Sequence, residues 1–325
     1  MTTNTGSPES QILSPDEAFS VLGNETRMDI LHQLGKSKGP VSFTDLRDDV
    51  GLRQGGQFNY HLDKLTDHFV AKTDAGYELT QRGRRVVEAI LSGAVTEDPV
   101  LERERIRQAC YHCGAPVEID YQHERVGVYC SECDGNYGRP ESRSDIATGD
   151  GSGLLGYLRL PPAGVQGRSP DEILAAAFTW GDLQFMARGS GVCPRCSAPL
   201  EESVEICSDH EVDGGICKTC DNRYAIQHHA QCPNCIYDST GLFMLSLLAN
   251  TELLDFFTSH GLNPVSASSE LDVYAVTGDY DEELLSLDPF EACITFTIGD
   301  DAITLTVGDD LSVVETERHC VFDPE

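Results

Sequence analysis

Between Val192 and Ile236 the chain carries four two-ligand pairs: Cys193-Pro-Arg-Cys196, Cys207-Ser-Asp-His210, Cys217-Lys-Thr-Cys220 and Cys232-Pro-Asn-Cys235. Each has two residues between its members, a spacing that lets a tight turn present both side chains to one tetrahedral ion. The pattern predicts structural Zn2+. Ordinary buried or disulfide-linked cysteines are the plainer alternative.

A simpler version lies upstream. Cys110-Tyr-His-Cys113 and Cys130-Ser-Glu-Cys133, sixteen residues apart, have the spacing of a four-cysteine ribbon. Between them "VEIDYQ" and "VGVYC" alternate as the strands of a hairpin should. Four cysteines fill a tetrahedral shell, so His112 and His123 are expected on the surface. The two regions also repeat: "CGAPVE" is echoed by "CSAPLE", and "CSECDGNYG" by "CKTCDNRYA". By that repeat Cys193, Cys196, Cys217 and Cys220 should share one zinc. Cys207, His210, Cys232 and Cys235 are left for another, giving an interleaved cross-brace. The alternative is one four-cysteine zinc with the other pairs as free thiols.

The 325 residues carry 54 acids against 23 bases, a formal charge of −31, and only five of the bases are lysine. Such self-repulsion destabilises a compact state in dilute buffer, whereas molar salt shortens the screening length to about 3 Å. The composition fits a salt-rich cytoplasm, as in halophilic archaea; an acidic partner-binding protein in an ordinary cytoplasm is the alternative. Residues 1–95 hold 10 bases and 13 acids, residues 96–325 hold 13 and 41. Any nucleic-acid contact is therefore expected in the N-terminal part. The polar start, Met1 to Ser10, has no signal pattern and no apolar run reaches membrane length, which predicts a cytoplasmic protein without a membrane partner.

Ser14-Pro15-Asp16-Glu17 is a capped helix start. A second helix follows from about Glu25 to Gly35, and Ser42 caps a third through Val50. The fourth, Gln54 to Thr66, buries Phe58, Leu62 and Leu65. Its other face offers Gln57, Tyr60, His61 and Lys64, with Gln54 and Asn59 alongside. Phe69–Lys72 and Tyr77–Leu79 flank a turn and read as a hairpin, after which Thr80 caps a fifth helix. Four helices, a hairpin and a helix is the order of a winged helix-turn-helix.

The segments "LGNETRMDILHQL" (Leu22–Leu34) and "FNYHLDKL" (Phe58–Leu65) make the resemblance specific. The chain resembles ArsR-like winged-helix transcription regulators of archaea. The resemblance implies that Gln54–Thr66 is a recognition helix on double-stranded DNA and that Lys72–Tyr77 forms the wing. It thereby makes Gln54, Gln57, Asn59, Tyr60, His61, Lys64 and Lys72 the candidate DNA contacts. It also implies a homodimer through Pro15–Leu22 and Gln81–Gly93. No cysteine precedes Cys110, so the inducer-binding cysteines of the metal-sensing members are missing. The alternative for the polar helix face is a solvated or protein-binding surface. The wider arrangement, with "LPPAG", "SPDEIL", "GVCPRC" and "LDPF", is similar to a group of halophilic-archaeal regulators.

The expected architecture is α+β and multidomain, with a winged helix-turn-helix (10–95), a helical linker (96–109) and a first zinc ribbon (110–140). A Gly/Pro-rich linker and helix (141–191), an elaborated zinc module (192–238) and an acidic helix plus antiparallel β module (239–325) follow. In the linker helix Trp180 is expected to be core. In the last module strands are expected at Leu271–Val276, Cys293–Ile298, Ala302–Val307 and Leu311–Glu315, with Cys293 and Cys320 as structural thiols. No phosphate loop, G-x-S-x-G, H-E-x-x-H or deaminase order occurs, so no enzyme is expected. The sequence thus predicts a zinc-stabilised DNA-binding regulator. The alternatives are an adaptor to a transcription-machinery protein and a metal or redox sensor.

Overall fold

The computed structural model describes residues 13–52, 54–138, 153–212, 215–263 and 277–320. The chain divides into two compact units, residues 1–97 and 98–325. The expected strand Leu271–Val276 lies outside the described residues.

In the first unit, α1 (Pro15–Leu22), α2 (Glu25–Lys36), α3 (Phe43–Val50) and α4 (Gly55–Leu65) precede a hairpin of β1 (Val70–Thr73) and β2 (Gly76–Leu79), and α5 (Gln81–Leu91) follows. The starts are those the sequence encodes. Ser14 and Glu17 form a reciprocal capping box, and the Asn24, Ser42 and Thr80 side chains cap their helices. Helix α4 differs: Gln54 gives no side-chain cap. Val41 pairs with Tyr77 and adds a bridge to the hairpin. Ile30, Leu31, Leu46, Phe58, Leu62 and Leu65 are fully buried, each contributing about 1.5–3 kcal/mol by leaving water. A Cβ at Gly35 would come 2.6 Å from Val87 Cγ1, so the approach of α2 to α5 requires glycine there.

The second unit opens with a four-stranded antiparallel sheet in the order β3 (Leu101–Ala109), β4 (Pro116–Gln122), β5 (Arg125–Cys130), β6 (Leu154–Arg159). Two expectations are corrected here. The charged segment read as a helical linker is strand β3, because its alternation serves a period of two and buries Ile106 in the sheet core. Residues assigned to a Gly/Pro-rich linker form β6, pairing Arg125↔Arg159 through Tyr129↔Leu154. Helix α6 (Pro170–Arg188) packs Ile173, Leu174, Ala177 and Phe178 on that core. Trp180 is not core: it is 45% exposed.

Next comes a three-stranded sheet, β7 (Glu201–Ile206), β8 (Ile226–Gln231) and β9 (Asp238–Leu242). A 3-10 segment, Phe243–Ala249, and helix α7 (Thr251–Ser259) lead to the last antiparallel sheet. Its strands are β10 (Asp281–Leu287), β11 (Phe290–Ile298), β12 (Asp301–Val307) and β13 (Val313–Cys320). Strand β10, an acidic run, carries no periodic apolar signal. Tyr224, Ile226 and Leu242 share one core with Phe256, Phe257, Phe296 and Leu305. Among the described residues no helix is long and apolar enough to cross a membrane.

Candidate metal centres

Twelve Cys and His side chains gather into three sets: Cys110, Cys113, Cys130 and Cys133; Cys193, Cys196, Cys232 and Cys235; and Cys207, His210, Cys217 and Cys220. Within each set the four ligand atoms lie within 4.8 Å of one another. Sulfur–sulfur separations are 3.7 Å for Cys110–Cys133 and Cys193–Cys235, and 3.5 Å for Cys113–Cys130 and Cys196–Cys232. Zn–S bonds of about 2.3 Å require tetrahedral edges of roughly 3.8 Å, whereas a disulfide closes to about 2.05 Å. The donor sets fit a tetrahedral, thiophilic dication.

The local folding explains the fit. Four of the six pairs close a tight turn: Cys110 N donates to Ala115 O at 2.8 Å, Cys193 N to Ala198 O at 2.8 Å, Cys217 N to Asn222 O at 3.0 Å and Cys232 N to Tyr237 O at 2.9 Å. The residue after the second cysteine is left-handed at Gly114, Ser197 and Asp221. Backbone N–H groups inside the turns then reach the sulfurs, among them Cys133 N to Cys130 Sγ at 3.3 Å and Thr219 N to Cys217 Sγ at 3.4 Å.

The cross-brace is overturned. Cys193 and Cys196 meet Cys232 and Cys235, and Cys207 and His210 meet Cys217 and Cys220, so the two sets are nested rather than interleaved. Hairpin topology dictates this. Strands β7 and β8 pair from Glu201↔Gln231 to Ile206↔Ile226, which brings the pairs before β7 and after β8 to one end. The pairs after β7 and before β8 meet at the other end. The true counterpart of the first ribbon is therefore Cys193–Cys235. Its hairpin tip, only His123-Glu124 in the first ribbon, is expanded into the Cys207–Cys220 ligand set.

The second repeat has a different role: "CSECDGNYG" and "CKTCDNRYA" pair with each other. Tyr137 bridges to Asn222, Gly138 N donates to Asp221 O at 2.6 Å, and Arg223 N donates to Asn136 O at 2.8 Å.

Outer groups orient the ligands, and sequence reasoning missed most of them. His210 Nε2 lies 3.0 Å from Arg223 O, which leaves Nδ1 facing Cys220 Sγ at 3.5 Å. Asn234 Nδ2 donates to Cys196 Sγ at 3.5 Å; its place inside a Cys-x-x-Cys turn was the available signal. Asn136, fully buried, donates to Tyr111 Oη at 2.6 Å and to Leu155 O at 2.9 Å. Its Oδ1 lies 2.8 Å from His112 Nε2. His112 is thus no surface residue: its side chain is 5% exposed and also meets Asp279 at 3.4 Å. It belongs to none of the three sets, and His123 is exposed.

The thiols have opposed acidities. The Asn234 amide pulls Cys196 down to about 6, and the Cys220 N–H pulls Cys217 down to about 6. Burial pushes Cys220 up to about 12 and also raises Cys133. Crowded sulfurs cannot all ionise unaided, and a bound dication would relieve the conflict.

In the first unit the candidate contacts separate. Gln57, Asn59, Tyr60, Lys64 and Lys72 are exposed, and Gln54 is exposed at the N-terminal boundary of α4. Lys64 Nζ lies 5.9 Å from the Tyr60 ring centre, and Lys72 Nζ 5.8 Å from that of Tyr77. Asn59 Nδ2 donates to Asp63 at 2.8 Å. His61 is a correction: it is 9% exposed and its Nδ1 is buried without a partner. It follows Tyr60 by one position, which turns its side chain toward the Phe58–Leu62 side of the helix.

A family model described as Domain of unknown function (DUF7347) matches residues 15–90. A second, described as Domain of unknown function (DUF7351), matches residues 107–313, more than half of the chain. No curated protein and no solved structure matches the chain.

Proposed function

The chain belongs to the family described as Domain of unknown function (DUF7351), and within it we propose a zinc-stabilised, DNA-binding transcription regulator of the ArsR-like winged-helix type. The carrying observation is the exposed row Gln57, Tyr60 and Lys64 on α4, with Lys72 exposed on the following hairpin. The order α1–α4, β1, β2, α5 is that of a winged helix-turn-helix, with α4 as its recognition helix and the β1–β2 turn as its wing. Amide, phenol and ammonium groups can read base edges and phosphates. His61, being buried, is left out of the contact set. The protein acts in high salt, where counterion release adds little and direct hydrogen bonds carry more of the affinity.

Zinc, held by the three ligand sets, supplies folding energy to turns too small to hold their shape otherwise. The chain's own residues orient those ligands through the Arg223 carbonyl on His210 and the Asn234 amide on Cys196. The test is binding of the full chain to its own promoter fragment in high salt. Tyr60→Ala with Lys64→Ala should weaken specific binding at least tenfold, and equal affinity of the variant would overturn α4 as the recognition helix.

A further inference from the structure

Bases are scarce in residues 96–325, thirteen against forty-one acids, and several of those described are occupied. Arg107 pairs with Asp171 at 3.4 Å, and Arg318 with Asp255 at 2.7 Å. Arg168 donates to Gly164 O at 2.6 Å, Arg223 to Gly135 O at 2.8 Å, and Arg188 to Ser239 Oγ at 3.1 Å. Arg103, Arg105, Arg159 and Arg195 are different. Among the described residues their guanidinium groups have neither a hydrogen-bond acceptor nor a paired carboxylate. In so acidic a chain, four unpaired arginines close together call for an explanation.

Three of them share one face of the first sheet. Arg105 stands opposite Glu118, which stands opposite Tyr129, and Arg103 stacks on the Tyr129 ring at 3.8 Å. Side chains alternate along a strand, so Arg125 and Gly127 lie on the Tyr129 face, and their partners Arg159 and Tyr157 lie there too. The other face is the core of Val126, Val128, Ile119 and Leu158. The outer face thus carries Arg103, Arg105, Arg125 and Arg159. Its carboxylates are Glu118, half-buried, and Asp120, 5% exposed against Gly127. Arg125, which has a partner of its own, stands directly opposite Arg159. Burial lowers the Arg159 pKa and so does Arg195, whereas Tyr237 and Glu124 raise it, so the arginine of the Cys193–Cys196 turn and the Glu124 carboxylate both stand near this face.

The spacing selects the ligand. Strands β3 and β6 are separated by three strand spacings, about 14 Å in all, which no single small anion bridges. Duplex DNA presents a charge every 1.7 Å or so of its axis, and guanidinium forks match phosphate oxygens in pairs. Stacking on Tyr129 uses the face of Arg103 and leaves its N–H edge for an acceptor. We propose that this outer face, with Arg103, Arg105, Arg159 and Arg195, binds the sugar–phosphate backbone of double-stranded DNA without reading its sequence. The choice of polyanion rests on the regulator reading given above.

The test uses the zinc-loaded full chain and a short duplex of arbitrary sequence, with affinity measured across a range of salt. Arg105 and Arg195 are exposed and unpaired, so Arg105→Ala with Arg195→Ala should keep the fold and the zinc content. The slope of log affinity against log salt should fall by about 0.9 for each arginine removed. Arg103→Gln with Arg159→Gln should do the same and serves if the turn variant loses metal. Unchanged slopes in both variants overturn the proposal, as does tighter binding of single-stranded RNA of equal length. Tyr60→Ala with Lys64→Ala separates the two readings. If it abolishes promoter preference while the arginine variants change nothing, the regulator reading stands and this one falls. If it changes nothing while the arginine variants flatten the slope, the reverse holds.

Discussion

Arg223 Nε donates to the carbonyl of Gly135 at 2.8 Å, joining the residue three past Cys220 to the residue two past Cys133. The same Arg223 offers its own carbonyl to His210 Nε2 at 3.0 Å. One residue therefore orients a ligand of the Cys207–Cys220 set and docks that set on the first ribbon.

Arg223→Ala should cost about 1.5–3 kcal/mol, the value of a hydrogen bond from a charged donor. Zinc release to a chelator should accelerate for one ion of the three. Arg223→Lys should not rescue it, since an ammonium lacks the planar fork. Release as slow as in the unchanged protein would mean that the side-chain bond to Gly135 does not hold the Arg223 carbonyl in place for His210.

Nesting of the two downstream sets predicts metal counts that a cross-brace does not. The full chain should hold three zinc ions. Cys193→Ser with Cys232→Ser should lose one, because both ligands serve a single site; Cys193→Ser with Cys217→Ser should lose two. Elemental analysis of the purified variants decides, and the opposite pattern of losses would restore the interleaved arrangement.

The ligands themselves were legible because two-residue spacing is a local property of turns. Their pairing was not, because it is set by which end of the β7–β8 hairpin each turn occupies. Likeness of "CSECDGNYG" to "CKTCDNRYA" suggested equivalent ligands, yet the two segments are docking partners through Tyr137 and Asn222. Strand β3 was hidden for a related reason: Glu102 to Arg107 alternates in sign, which suits a solvated helix as well as a sheet edge. His61 was misplaced because Tyr60 and His61 are adjacent, and helical geometry puts only one of them outward. The capping boxes at Ser14 and Ser169, by contrast, depend on residues three apart and were readable directly.

Glu282 gives a pH dependence. Burial raises its carboxyl to about 7, against the Ala225 and Ile226 N–H groups that favour the ionised form. The unfolded chain ionises it near 4.5, so the folded state holds the proton longer. A raised pKa contributes stability that is fully present below the unfolded value and is lost as pH rises through the folded one. Between pH 6 and 8 the protein should lose about 1 kcal/mol from this group. Denaturant unfolding at the two pH values measures it, and Glu282→Gln should remove that part of the slope. An unaltered slope in the variant would assign the dependence elsewhere.

Arg188 and His228 are both fully buried, joining helix α6 to strand β8. Arg188 Nε donates to His228 Nδ1 at 3.0 Å and Nη2 to the His228 carbonyl at 2.9 Å, while His228 Nε2 faces Glu202 at 3.2 Å. The imidazole therefore accepts at Nδ1, in its neutral form, and burial lowers its pKa accordingly. His228→Leu should be severely destabilising, on the order of 3 kcal/mol, because it strands a buried guanidinium without that acceptor. Arg188→Met with His228→Leu removes both polar partners at similar volume and should be milder than His228→Leu alone. A double-mutant cycle should then show coupling above about 1 kcal/mol. Additive losses would mean that the two side chains stabilise this junction independently, with packing rather than the hydrogen bond holding α6 on β8.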